Sequence, residues 1–280
     1  MNQKLIIKYF AFFPLGLVLL SSCMSTPNSN SSIKINTSSG SVQGTIQDEV
    51  VFWEDIPYAV APVGDLRWKA PRELVSPESL IELKEGNGCL QEASIYAGIQ
   101  GEGIVGQEDC LYLDIQAPLN NLNRGLPVMF WIHGGGNTSG VKDYYDFSEF
   151  IKQQQVMVVT INYRLGPMGW FTHPAIQGLQ SGLDKTSNFG TLDIIQALRW
   201  VKNNITSFGG DSENVTIFGE SAGGHNVLSL LSSPISNGLF HKAISQSGYT
   251  TTFTLEEAFG SDVNGDTVNE LGSDLALSQN

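Results

Sequence analysis

Cysteine and basic charge are scarce in this 280-residue chain, which has three cysteines and 15 Lys and Arg against 28 Asp and Glu. A formal charge of −13 leaves no basic surplus to displace counterions. The folded surface is therefore expected to bind neither nucleic acid nor an anionic membrane. Charged residues are only 15% of the chain, and the excess acid serves solubility. The apolar run Tyr9–Leu20 is too short to cross a bilayer, but behind Lys4 and Lys8 it suits the apolar core of a secretory signal. There is no internal repeat and no second linker.

With 41% hydrophobic residues, the chain is long enough for one large domain with a sizeable core. The signal-like run ends Leu20-Ser21-Ser22-Cys23, which resembles the bacterial lipobox. Residues 1–22 are thus expected to be a lipoprotein-type signal peptide, with Cys23 the acylated residue and new N-terminus. An ordinary signal peptide with an incidental cysteine is the alternative. Residues 23–32 are small, polar and aperiodic and read as a flexible tether, and residues 33–280 as the domain. The expected location is a bacterial envelope, with membrane contact only through the lipid, or the exterior. In an exported chain the remaining pair, Cys89 and Cys110, reads as a disulfide; closing a loop of about 20 residues stabilises by roughly 3 kcal/mol in the chain-entropy model. Two free thiols are the alternative.

The stretch Asn214–Leu231 organises the chain. Val215-Thr216-Ile217-Phe218 is a β-type run, Gly219-Glu220-Ser221-Ala222-Gly223 a glycine-flanked serine, and Val227, Leu228, Leu230 and Leu231 a helical stripe. A serine hydroxyl becomes a nucleophile when a sharp strand-to-helix turn holds it exposed. That turn brings backbones too close for a Cβ two residues to either side. The pentapeptide alone is weak, since 30 Gly and 28 Ser predict about 0.3 chance matches. Its strand and helix context raises it above a structural serine in a Gly-rich turn.

The longer string Phe208–Gly223, F-G-G-D-S-E-N-V-T-I-F-G-E-S-A-G, resembles the active-site signature of the type-B carboxylesterases. That α/β-hydrolase family also includes cholinesterases and the non-catalytic neuroligins. Glu108-Asp109-Cys110-Leu111-Tyr112-Leu113-Asp114 resembles its second signature, whose cysteine pairs with an upstream one. Ile56–Pro71 and Asn162-Tyr163-Arg164-Leu165-Gly166 also match, with Arg67 and Trp68 expected to be structural. The resemblance implies an α/β-hydrolase fold, a central mostly parallel sheet flanked by helices. It also implies a serine nucleophile at Ser221, a small-molecule ester substrate, and no cofactor or metal. The residues read the same way: opening strands across 45–58, central strands Leu126–Ile132 and Val156–Asn162, and a helix with one buried face across 192–205. Between Leu90 and Asp109 there is no tryptophan, a departure from the cholinesterases that makes choline esters a poor guess.

After the strand Leu126–Ile132 comes His133-Gly134-Gly135-Gly136. Glycines at a strand end let backbone N–H groups face a ligand, and acyl transfer needs such donors for the oxyanion. The match to the family's oxyanion loop implies donors at Gly135, Gly136 and Ala222. Asn137 stands where the family often has an aromatic residue, leaving the acyl-side wall open.

The base is what the sequence lacks. In α/β-hydrolases the order is Ser, then acid, then His, yet only His241 follows Ser221 beyond its own helix. His225 lies on that helix; His133 and His173 lie upstream. The match runs through Leu255–Gly260 and Glu270–Gly272, the family's following helix, so the chain resembles the N-terminal half of a type-B carboxylesterase, truncated before the C-terminal half. Three expectations follow: an ester hydrolase by descent that is incomplete in this form, a non-catalytic cell-surface binding protein, or a hydrolase completed by a separate C-terminal fragment.

Overall fold

The structure, a computed structural model, describes residues 33–84, 87–252 and 254. The expected signal peptide, Cys23, the tether to residue 32 and the segment from Leu255 onward lie outside them.

Eight strands form one sheet in the order β1 (Ile33–Thr37), β2 (Gly40–Gln47), β3 (Val50–Pro57), β6 (Tyr112–Pro118), β8 (Met157–Ile161), β7 (Leu126–Ile132), β9 (Gly210–Glu220), β10 (Lys242–Gln246). A separate pair, β4 (Gln91–Ser94) and β5 (Ile99–Val105), forms a hairpin. Pairing is antiparallel from β1 to β8 and parallel across β8, β7, β9 and β10.

A short connection permits only antiparallel pairing, whereas β3 with β6 and β6 with β8 pair antiparallel across long ones. Two residues separate β2 from β3, Asp48 and Glu49, and both take positive φ (47° and 66°), the geometry of a tight hairpin. Parallel neighbours need long crossovers, and helices fill these. Helix α1 (Ser148–Gln154) joins β7 to β8. Helices α2 (Gly166–Gly169), α3 (Pro174–Gly178) and α4 (Phe189–Asn204) join β8 to β9, and α5 (Ala222–Ser232) joins β9 to β10. The sheet is therefore mixed, and its parallel part carries the serine.

Both faces of the sheet are covered. Val159 and Phe130 pack with Leu198, Val201, Val227 and Leu230 of α4 and α5, while their neighbours Val158 and Met129 pack with Ile151 of α1. Successive strand residues point to opposite faces, so the helices lie on both sides. Two expectations about helices change. Helix α4 buries 12 of its 16 residues, not one face, Asp193 among them in a pair with Arg164. In α5 the stripe is narrower: Val227 and Leu230 are buried, while Leu231 is 55% exposed. The first turn, Ala222 to Asn226, is buried instead.

The expected disulfide joins Cys89 and Cys110, both buried. The β4–β5 hairpin it encloses was not legible in the sequence, because 91–105 lacks an alternating apolar pattern; β5 is mostly exposed.

Candidate active site

Ser221 sits where β9 ends and α5 begins, with φ 55° and ψ −120°. A non-glycine residue at positive φ costs on the order of 1–3 kcal/mol and persists only where its surroundings hold it. They do so here through the Ser221 N–H, which donates to the Gln246 carbonyl of β10 at 2.9 Å. The flanking glycines are required sterically. A Cβ on Gly219 would lie 2.6 Å from the Gly223 backbone, and one on Gly223 2.0 Å from the Ile132 carbonyl oxygen at the end of β7. The turn is thus wedged against the neighbouring parallel strand. Among the described residues the Ser221 hydroxyl has no hydrogen-bond partner.

The glycine run lies beside it. A Cβ on Gly134 would be 3.3 Å from the Ser221 Cβ and 2.7 Å from the Glu220 carbonyl oxygen. Gly135 and Gly136 take positive φ (98° and 64°) and are exposed. The Gly135 carbonyl accepts from the Thr138 and Ser139 amides at 3.1 and 3.0 Å, closing a turn. Among the described residues the amides of Gly135 and Gly136 donate to no protein group. Ala222 is the first residue of α5, so its amide has no intrahelical partner either. The loop is flanked by a 190 Å³ pocket lined in part by Tyr96, Tyr144, Tyr145 and Glu220. A 790 Å³ cleft lined in part by Leu90, Ile104 and Met168 reaches the end of the loop at Thr138 and Ser139.

Asn137 is not a pocket wall. It is fully buried at φ 58°, and its Oδ1 accepts from Asn226 Nδ2 at 2.8 Å. Asparagine tolerates this left-handed conformation, and the turn rotates its side chain inward.

All four histidines lie among the described residues, and none bonds the Ser221 hydroxyl. His133 is buried, stacked on Tyr163 at 4.4 Å, with Nδ1 donating to the Gly134 carbonyl at 2.8 Å. Burial lowers its pKa to about 4. His225 points Nδ1 at the Tyr249 carbonyl and stacks on that ring, and burial lowers its pKa too. His241 accepts from the Val215 amide, joining β9 to the segment entering β10. His173 caps α3.

Several supports were not read from the sequence. Gln91 of the disulfide loop accepts from the Gly140 amide at 2.8 Å and donates to its carbonyl at 3.0 Å. Arg164 makes a two-pronged bond to Asp193 at 2.8 and 2.7 Å, both side chains buried. Lys142, 2% exposed, contacts Asp55, Asp114 and Asp143 at 2.9, 2.7 and 2.6 Å. A 660 Å³ cavity adjoins this cluster, in which one lysine faces three carboxylates. Arg67 and Trp68 are structural as expected: Arg67 pairs with Glu108, and Trp68 donates to the Pro167 carbonyl and stacks on Phe171.

A mixed sheet covered on both faces, with a strained serine at a parallel strand's C-terminal end beside a glycine loop, defines an α/β-hydrolase. The carboxylesterase family model matches residues 31–275, and the chain belongs to that family. It is 42% identical over 227 residues to a Bacillus subtilis para-nitrobenzyl esterase, covering 80% of this chain and 45% of that protein. It is also 42% identical over 218 residues to a Sphingopyxis macrogoltabida fumonisin B1 esterase, covering 76% and 39%. A solved para-nitrobenzyl esterase superposes with TM-score 0.73 at 38% identity, covering 87% of this chain and 52% of that one. A Geobacillus stearothermophilus carboxylesterase does so with TM-score 0.67 at 38% identity, covering 78% and 44%. The chain spans about half the length of these relatives.

Proposed function

We propose that this chain carries the nucleophile and oxyanion half of a serine ester hydrolase, and that the general base comes from outside these 280 residues. The carrying observation is the Ser221 backbone, strained at φ 55° between a parallel strand and a helix, beside two amides that have no protein partner among the described residues. In this reading the Ser221 oxygen attacks the carbonyl carbon of a small ester, and a base accepts its proton. Gly135, Gly136 and Ala222 donate to the oxyanion, each such bond worth about 2.7–4 kcal/mol to the transition state. Collapse expels the alcohol, which takes up the proton, and water then releases the acid from the acyl-enzyme. Each of the four histidines has a structural task, which supports a base supplied by a C-terminal segment, continuous or separate. Cys23 acylation would tether the domain to a bacterial envelope.

Two measurements test this. Residues 24–280 alone should show no fluorophosphonate labelling at Ser221 and no Ser221-dependent hydrolysis of a short p-nitrophenyl ester. Addition of a downstream half should restore both, and Ser221→Ala should abolish them again. Ordinary turnover by the isolated chain would refute an external base. Failure of the joined protein to label would leave a non-catalytic binding role as the better account. For the anchor, incorporation of a clickable fatty acid should vanish in Cys23→Ala.

A further inference from the structure

Asn137 and Asn226 sit on the two elements that supply the proposed oxyanion donors. Asn137 directly follows Gly136; Asn226 lies one helical turn after Ala222 on α5. Both are buried, at 0% and 1% exposure, and the Asn226 amide donates to Asn137 Oδ1 at 2.8 Å. The Tyr163 hydroxyl lies 3.3 Å from the same oxygen and donates to the His133 carbonyl, at the start of the glycine run, at 2.7 Å. The Asn137 carbonyl accepts from the Gly166 amide at 2.7 Å. The glycine run is therefore held at both ends, and its far end is tied to the helix that begins at the serine.

The side-chain amide of Asn137 is committed one way. Its oxygen accepts from Asn226, while its buried Nδ2 has no hydrogen-bond partner among the described residues. A buried amide with an unmade bond is costly, so the contacts of its oxygen must outweigh that loss. Nothing apolar of similar size could hold the loop to the helix in this way, since the Asn226 bond is directional.

We propose that Asn137 and Asn226 form a positioning pair that sets the spacing between the Gly135–Gly136 amides and the Ala222 amide. It rests on the oxyanion role proposed above for those amides, and it concerns geometry: neither asparagine touches substrate. Misplacement of a catalytic group by about 1 Å can cost on the order of 100-fold in rate, so a bond that fixes this distance acts on activity without joining the chemistry.

Amide spectra and hydrogen exchange of the full chain test it. In Asn226→Ala, exchange at Ser139 and Gly166, whose amides are bonded within this assembly, should quicken by roughly 5- to 10-fold, the loss of one neutral hydrogen bond. The rise at β8 amides should be smaller. The Gly136 and Ala222 signals should shift together. In an Asn137→Gly background, which keeps the positive φ without strain, adding Asn226→Ala should change exchange by less than about twofold, because the partner is already gone. If Asn226→Ala does not fold, the near-isosteric Asn226→Leu takes its place. Unchanged exchange at the loop, an equal rise in β8, or additive effects of the two substitutions would each overturn the pairing. None of these readouts requires Ser221 to react, so their failure is separate from a failure of fluorophosphonate labelling.

Discussion

His133 shows how one buried residue links the site to pH. Its pKa is lowered from 6.5 to about 4 by burial. Above pH 6.5 both folded and unfolded chains hold it neutral. As pH falls from 6.5 toward 4 the unfolded chain takes up a proton that the folded one refuses, so stability declines. The slope approaches 1.4 kcal/mol per pH unit and the loss totals about 3 kcal/mol. Urea denaturation at pH 7, 6, 5 and 4 should show this decline, and His133→Gln should flatten it by about that amount. At the elbow, Gly223→Ala puts a methyl 2.0 Å from the Ile132 carbonyl oxygen. Backbone cannot yield as a flexible side chain would, so this substitution should destabilise by roughly 1–3 kcal/mol in the same assay, with Gly178→Ala, which meets open space, as control.

Between elements, the supports of the site are long-range polar contacts. Arg164, just past the end of β8, and Asp193 in α4 are both almost fully buried, and desolvation raises the Asp193 pKa against the pull of Arg164. Removing one partner leaves a buried charge alone, so Asp193→Ala should cost about 3–5 kcal/mol by thermal or urea unfolding. The disulfide acts at this scale too. It holds the loop from which Gln91 clamps Gly140, and a Cβ on Gly140 would strike the His133 ring. Cys89→Ser with Cys110→Ser should lower stability by roughly 3 kcal/mol. A non-reduced digest should yield the two cysteine peptides linked.

For the whole molecule, the parallel strands β7, β9 and β10 bring the glycine loop and Ser221 to one sheet end, where α/β folds place ligands. In the reading proposed above, the nucleophile and its oxyanion donors lie there on the turn from β9 into α5 and on the glycine loop, while each of the four histidines bonds elsewhere. Loss of the base from a serine triad lowers turnover by roughly 2 × 10⁶-fold in the subtilisin case. The isolated chain should therefore be at least 10⁴-fold slower toward a p-nitrophenyl ester than a form joined to a downstream half.

Local chemistry was legible in the residues themselves. Gly219 and Gly223 mark a turn that no Cβ can enter, the run Val215–Phe218 is a strand, and Leu126–Ile132 leads into a glycine loop. These follow from steric and periodic rules acting over a few residues, so strand β7 and the elbow fell where the pattern put them. The expected pairing of Cys89 with Cys110 also holds. What surrounds these pieces was decided by tertiary contact alone. Leu231 fits the apolar stripe but faces outward, because burial depends on what lies opposite a helix face, which spacing along the chain does not specify. Asn137 stands where the family often has an aromatic residue, and it meets Asn226, 89 residues away. Arg164 finds Asp193 across 29 residues and Gln91 finds Gly140 across 49, and a polar side chain carries no sequence-local sign of which distant group will complete it. Only the folded sheet, by setting strand ends side by side, chooses those partners.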